Sequence, residues 1–156
     1  MQSRRSSNAD RTFWRVFDDS SVTQFDDYDG FRAPRQYKTP IRYPKTEREK
    51  ELVRKELEKH LDWTNDVKTG FISVYCSEEA AIRSAEARVK QRKKNVCVAC
   101  IIPNKATEKV IYRSVKSLAR GIRYEIPPYV GDNADFEFVV WNRIPPEAVV
   151  DISCLN

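Results

Sequence analysis

Apolar, β-forming residues occur in short runs that are far apart in the chain: Phe13–Phe17, Gly70–Cys76, Val96–Ile102, Phe136–Trp141 and Val149–Ile152. Charged stretches with helical spacing lie between several of them, so the strands must meet across long connections around one core. Thr46-Glu-Arg-Glu49 is a capping box that opens a helix running to about His60, with Leu52, Val53, Leu57 and Leu61 as its apolar stripe. Residues 47–59 carry five acidic and five basic side chains, which reads as a solvated face. Ser77 caps a second helix, with Glu78 and Glu79 at its start and Lys90, Arg92, Lys93 and Lys94 near its end, as the helix dipole favours. Ala81, Ile82, Ala85 and Val89 form the stripe that this helix buries, and its alanines allow a close approach to a sheet. Lys109–Arg120 reads as a third helix. Asp29-Gly30 reads as a turn, and Phe31–Pro44, punctuated by Pro34 and Pro40, as a loop. Residues 1–11 read as a flexible tail and 12–156 as one α+β domain.

Scarce residues exclude whole classes of chemistry. Four glycines, all far apart, cannot write a phosphate-binding loop or a dinucleotide fingerprint. A single histidine, His60, rules out multi-histidine metal sites, and there is no G-x-S-x-G elbow. No apolar run approaches a membrane span, and the polar N-terminus is not a secretory signal. Cys97-Val-Ala-Cys100 sits inside a strand, where residues three apart face opposite ways, so these thiols should not meet. The expectation is reduced cysteines in a cytoplasmic or nuclear protein. The net charge of +5 equals the excess within residues 83–94, at the end of the second helix, away in sequence from the residues discussed next. It reads as a dipole cap that mildly favours an acidic partner.

Three polar residues interrupt apolar strands: Arg15 in Phe-Trp-Arg-Val-Phe, Ser73 in Phe-Ile-Ser-Val-Tyr, and Glu137 in Phe-Glu-Phe-Val-Val-Trp. Each could be the solvent-facing member of an alternating strand, and Arg15 with Glu137 could be a cross-strand ion pair. A charge flanked by aromatics is otherwise costly unless it is paired or faces a cleft. Together, a cation, a hydroxyl and a carboxylate on three strands suit a phosphate, a sugar and a developing positive charge.

That order of Arg, Ser and Glu resembles the R-S-E branch of the ADP-ribosyltransferase superfamily, which includes cholera toxin, heat-labile enterotoxin and the pierisin and scabin toxins. Phe13-Trp-Arg15-Val with Asp29-Gly30-Phe31 resembles the opening strand and turn of that branch. Gly70-Phe-Ile-Ser73 before an alanine-rich helix resembles its central segment, and the Phe-Ile-Ser signature is similar to that of an uncharacterised fungal group. Asp135-Phe-Glu137, followed seven residues later by Ile144-Pro145, resembles its catalytic strand.

The resemblance implies a single domain whose mixed β-sheet core is split into two small sheets around an NAD cleft, with flanking helices. It implies NAD as substrate, no metal, and transfer of ADP-ribose to an acceptor, either a protein arginine or a nucleic acid, or NAD hydrolysis. Glu137 would stabilise the oxocarbenium ion, Ser73 would fix the carboxylate, and Arg15 would bind the pyrophosphate. Phe71 and His60 would complete the NAD site. Asp135, two residues before the glutamate, would act as acceptor-side base, with Tyr129 and Asp132 on the acceptor-facing loop. Ser73-Val74-Tyr75 departs from the branch's Ser-Thr-Ser, and Arg15 is followed by Val-Phe-Asp18 and not by the Arg-x-Asp of many relatives. Two readings stay open: a toxin-like transferase or effector, and an inactive fold that binds nucleic acid or an acidic protein.

Overall fold

The computed structural model describes residues 11–62 and 68–156, and among these the pattern gives nine short strands and three helices. The strands are β1 (Phe13–Phe17), β2 (Phe25–Asp26), β3 (Gly30–Arg32), β4 (Phe71–Tyr75) and β5 (Cys97–Ile101). They continue with β6 (Tyr112–Ser114), β7 (Glu137–Trp141), β8 (Arg143–Ile144) and β9 (Val149–Cys154). The helices are α1 (Glu47–Leu61), α2 (Glu78–Lys90) and α3 (Val115–Gly121). Both expected caps form: Thr46 and Glu49 make the reciprocal box, and the Ser77 hydroxyl accepts from the Ala80 amide.

One sheet has six strands in the order β6-β7-β4-β1-β5-β9, and a smaller one has three, β2-β3-β8. Every pairing among the described residues is antiparallel, which corrects the expected mixed sheet. Three adjacent interior strands, β7-β4-β1, are the runs carrying Glu137, Ser73 and Arg15, although those runs are remote in sequence. Phe13, Phe17, Phe31, Ile72 and Val74 lie in the core between the sheets. A second core joins Leu57 and Leu61 of α1 to Phe71, Val139 and Trp141. A third seats Ala81 and Ala85 of α2 against Val16 and Val96.

Several expectations need correction. Phe31–Pro44 does not begin as loop: Gly30–Arg32 pairs with β2 and β8. Gly30 has φ +71° where a Cβ would strike the Ile144 carbonyl, so the turn needs glycine. The Lys109–Arg120 segment divides into β6 and α3, because Ser114 caps the Ser117 amide and starts the helix late. Leu52 is half exposed, outside the buried stripe of Val53, Leu57 and Leu61. Ile82 is also exposed, since α2 rests on its alanines.

Cys97 and Cys154 form a disulfide, which overturns the expectation of reduced cysteines for this pair. Strand β9 runs two residues past Ile152, and that brings Cys154 directly opposite Cys97. Cys100 and Cys76 are free, and Cys97 and Cys100 indeed do not meet. Residues 1–10 of the expected tail lie outside the described residues, while Arg11 stacks over the Phe138 ring at 4.6 Å from its centroid. Among the described residues, no helix is long and apolar enough to cross a membrane.

Candidate active site

Strand β4 lies between β1 and β7, so no Arg15–Glu137 cross-strand pair is available. Tyr75 stands opposite Glu137 and Ser73 opposite Val139. Alternation then sets Ser73, Tyr75 and Glu137 on one face of the sheet. Glu137 is buried, 7% exposed, and therefore not the water-facing member of its strand. Ser73 Oγ donates to Glu137 Oε2 at 2.9 Å.

Helix α1 supplies the next group. Its last turn carries His60, whose Nε2 lies 2.6 Å from Ser73 Oγ and whose Nδ1 lies 3.0 Å from Thr69 Oγ1. A hydroxyl has one proton, which fixes the direction of the chain. With the Ser73 proton on Glu137, His60 presents N–H at Nε2 and accepts from Thr69 at Nδ1. The imidazole is neutral, because burial and then the Arg15 charge lower its pKa to about 4. Burial pushes Glu137 up to about 7, against the opposing pull of the Ser73 hydrogen bond. Phe71 packs edge-on to His60, with centroids 5.6 Å apart, and backs the same site.

Arg15 enters differently. Strands β1 and β4 share only the Trp14–Tyr75 pair. Beside it, Arg15 Nη1 donates to the Ser73 carbonyl at 3.0 Å and Nη2 to the Thr23 carbonyl at 2.9 Å. The guanidinium lies over the Phe31 ring, and its Nε has no partner among the described residues. Burial, and then Arg88, lower its pKa to about 9, so it stays charged at neutral pH. Arg15 therefore braces the site from below, with two donor positions committed to carbonyls.

A cleft of about 680 Å³ opens over these groups, bordered by Arg15, His60, Phe71, Ser73 and Glu137. Its lining includes six basic residues (Arg15, Lys59, Lys68, Arg83, Arg88 and Lys93) and three acidic ones (Asp18, Asp62 and Glu137). The basic stretch after residue 83 is thus not remote from the site, as its sequence position suggested: α2 forms one wall of the cleft. Arg88 donates to Asp18 Oδ2 at 2.9 Å, and Asp18 is held in turn by the amide and hydroxyl of Ser20. Arg88, Asp18, Tyr75 and Thr23 were not singled out from sequence as cleft residues. The i, i+4 spacing of Ser84 with Arg88 and of Arg83 with Ala87 is the signal that marks this face of α2.

The expected acceptor side is separate. Neither Asp135 nor Tyr129 borders the cleft. Asp135 forms an ion pair with Lys116 of α3, and Tyr129 is exposed on the 3₁₀ segment Pro128–Asp135. The side chain of Asp132 lies outside the described residues.

Comparison with solved structures gives EcPltA, with a TM-score of 0.59 and 14% identity over 94% of this chain and 77% of that one. PltA is an ADP-ribosyltransferase subunit of typhoid toxin, so the fold is ADP-ribosyltransferase-like. The chain itself belongs to the family described as a domain of unknown function, DUF7587, which matches residues 8–155. No curated protein sequence matches it.

Proposed function

We propose that this domain cleaves the nicotinamide–ribose bond of NAD and transfers ADP-ribose to an acceptor, with water as acceptor when no other is bound. The observation that carries the reading is the buried Glu137 carboxylate, held by Ser73, which His60 holds in turn, at the floor of a cation-lined cleft. The likeness to EcPltA supports the fold on which such a site is built.

The chemistry asks little of the protein beyond charge and position. The C1′–N1 bond breaks with its electron pair leaving on neutral nicotinamide, and positive charge develops at C1′ and the ring oxygen. An ionised Glu137 stabilises that charge in a site where burial strengthens the interaction. Ser73 holds the carboxylate in one rotamer, and neutral His60 holds Ser73. The cationic lining offsets the diphosphate, with Arg88 offered by Asp18 from the α2 wall. The acceptor, a protein side chain or a nucleic-acid base, attacks C1′ and loses a proton; Asp135 and Tyr129 lie outside the cleft lining, so in this reading they meet the body of the acceptor and not the reacting atoms.

Nicotinamide release from NAD, followed by chromatography, tests the proposal. Wild type should release it, and Glu137→Ala should lose at least a hundredfold in rate. Equal rates in the two proteins would reject the reading. The second reading, an inactive anion-binding fold, is favoured by the commitment of Arg15 to two carbonyls. It predicts salt-sensitive binding of short DNA or an acidic protein with no NAD cleavage.

A further inference from the structure

Phe71 and Lys59 border a second cavity as well as the cleft. This cavity measures about 340 Å³ and lies between α1 and residues 35–41. Its walls and floor are Tyr37, Ile41, Val53, Phe71 and Trp141, so its interior is apolar and largely aromatic. Tyr37 is fixed there, its hydroxyl donating to Glu56 Oε1 at 2.7 Å and accepting from the Gly70 amide at 3.3 Å.

The rim has the opposite character. Arg35, Lys55 and Lys59 surround a single carboxylate, Glu56. Arg35 and Lys59 already answer Glu56, at 3.6 Å and 3.5 Å, which leaves the rim with surplus positive charge carried by exposed Lys55. Leu52 belongs to this rim: it is 50% exposed on a helix whose other apolar residues are packed. An aromatic interior with a cationic rim and a volume near the lower end of small-molecule sites selects a particular ligand chemistry.

We propose that this cavity is a second ligand site, for a small aromatic or branched aliphatic molecule carrying one negative charge. Its apolar body rests on Phe71 and Trp141, and its anion meets the Arg35–Lys55 side of the rim. The proposal stands independently of NAD cleavage, because none of its groups is Glu137, Ser73 or His60.

Fluorescence titration with 1-anilinonaphthalene-8-sulfonate, an aromatic monoanion, tests it. The wild-type protein should bind one equivalent saturably. Thr39 is an exposed cavity residue, so Thr39→Trp plugs the opening from the surface and should weaken binding at least tenfold. Lys55→Glu, a surface change that leaves the fold intact, should weaken it several-fold. Neutral N-phenyl-1-naphthylamine should bind less well and ignore Lys55→Glu. Glu137→Gln should have no effect, which separates this site from the cleft. The proposal is overturned if Thr39→Trp binds like wild type, or if the neutral probe binds as tightly as the anion. Loss of binding in Arg83→Glu with retention in Thr39→Trp would move the probe to the cleft and also overturn it. Binding only of an acidic peptide with a bulky apolar side chain would assign the cavity to a protein partner instead.

Discussion

His60 Nε2 lies 2.6 Å from Ser73 Oγ, and that contact couples the position of the proton on His60 to the state of Glu137. Ser73 has one proton, and while it points at Glu137 the histidine must be the donor to Ser73. Protonation of Glu137 permits the reverse arrangement, in which the carboxyl donates to Ser73, Ser73 to His60 Nε2, and His60 Nδ1–H to Thr69. Only the first arrangement offers a charged carboxylate to an oxocarbenium ion. With Glu137 at about 7, kcat/KM for NAD cleavage should rise tenfold per pH unit below 7 and level off above it. A pH profile flat from 5 to 8 would contradict the assignment of Glu137 as the ionising group.

Ser73→Ala removes the hydrogen bond that opposes burial, and so it should push the Glu137 pKa higher still. The expected result is a fall in kcat of about ten- to a hundredfold, with KM for NAD little changed and the pH profile displaced upward. The displacement is the decisive readout, because simple loss of packing would lower the rate without moving the profile.

Linkage gives Glu137 and His60 opposite signs in stability. Glu137 binds its proton more tightly folded than unfolded, so its contribution is present below the unfolded carboxyl pKa and is lost as pH rises to about 7. That loss is on the order of 3 kcal/mol from a shift of this size. His60, lowered to about 4, adds stability as pH rises from 4 to 6.5. The two contributions largely cancel in the wild type between pH 4.5 and 6.5, so Glu137→Gln should remove the falling one and leave a protein that gains stability over that window. Urea midpoints measured from pH 4.5 to 7.5 check this, and parallel curves for the two proteins would refute it.

Local signals foretold the elements that they govern. The Thr46–Glu49 box and the Ser77 cap start their helices where the side-chain chemistry requires. The three polar interruptions of apolar strands marked Arg15, Ser73 and Glu137, because a buried polar group needs a partner wherever it occurs. Long-range partners left no comparable trace. Nothing in residues 83–94 says that Arg88 reaches Asp18 seventy positions earlier, or that α2 walls the cleft. Two- and three-residue strands such as β2, β6 and β8 are equally silent, since so short a segment has no measurable period. The residue pattern by itself does not separate His60 from any helix-end histidine; only the family resemblance points to it, and packing of α1 against β4 is what brings it to Ser73.

Arg15 tests the brace directly. Its two hydrogen bonds to carbonyls are charge-assisted, and each is worth roughly 1.5–3 kcal/mol. Arg15→Lys keeps the charge but cannot reach both the Ser73 and Thr23 carbonyls with planar geometry. It should lower stability by about 3 kcal/mol in chemical denaturation. A protein with unchanged stability and a raised KM for NAD would instead make Arg15 a ligand to the diphosphate.

The Cys97–Cys154 bridge ties the edge strand β9, whose side chains are largely exposed, to buried β5. Only Val149 and Ile152 of β9 pack against the core, so the bridge should supply much of its local stability. Closing a loop with a separation of 57 residues restricts the unfolded chain by about 4 kcal/mol in the chain-entropy account, an upper bound for what reduction would cost. Non-reducing peptide mapping should recover the 97–154 pair with Cys76 and Cys100 alkylated as free thiols. Cys154→Ser should lower the thermal midpoint and raise amide exchange in β9 and at Val98 first, leaving β4 and β7 protected. Because those inner strands carry Ser73 and Glu137, cleavage of NAD at temperatures well below the midpoint should survive the loss of the bridge. Inactivation at such temperatures, with β4 and β7 still protected, would mean that β9 shapes the cleft from a distance.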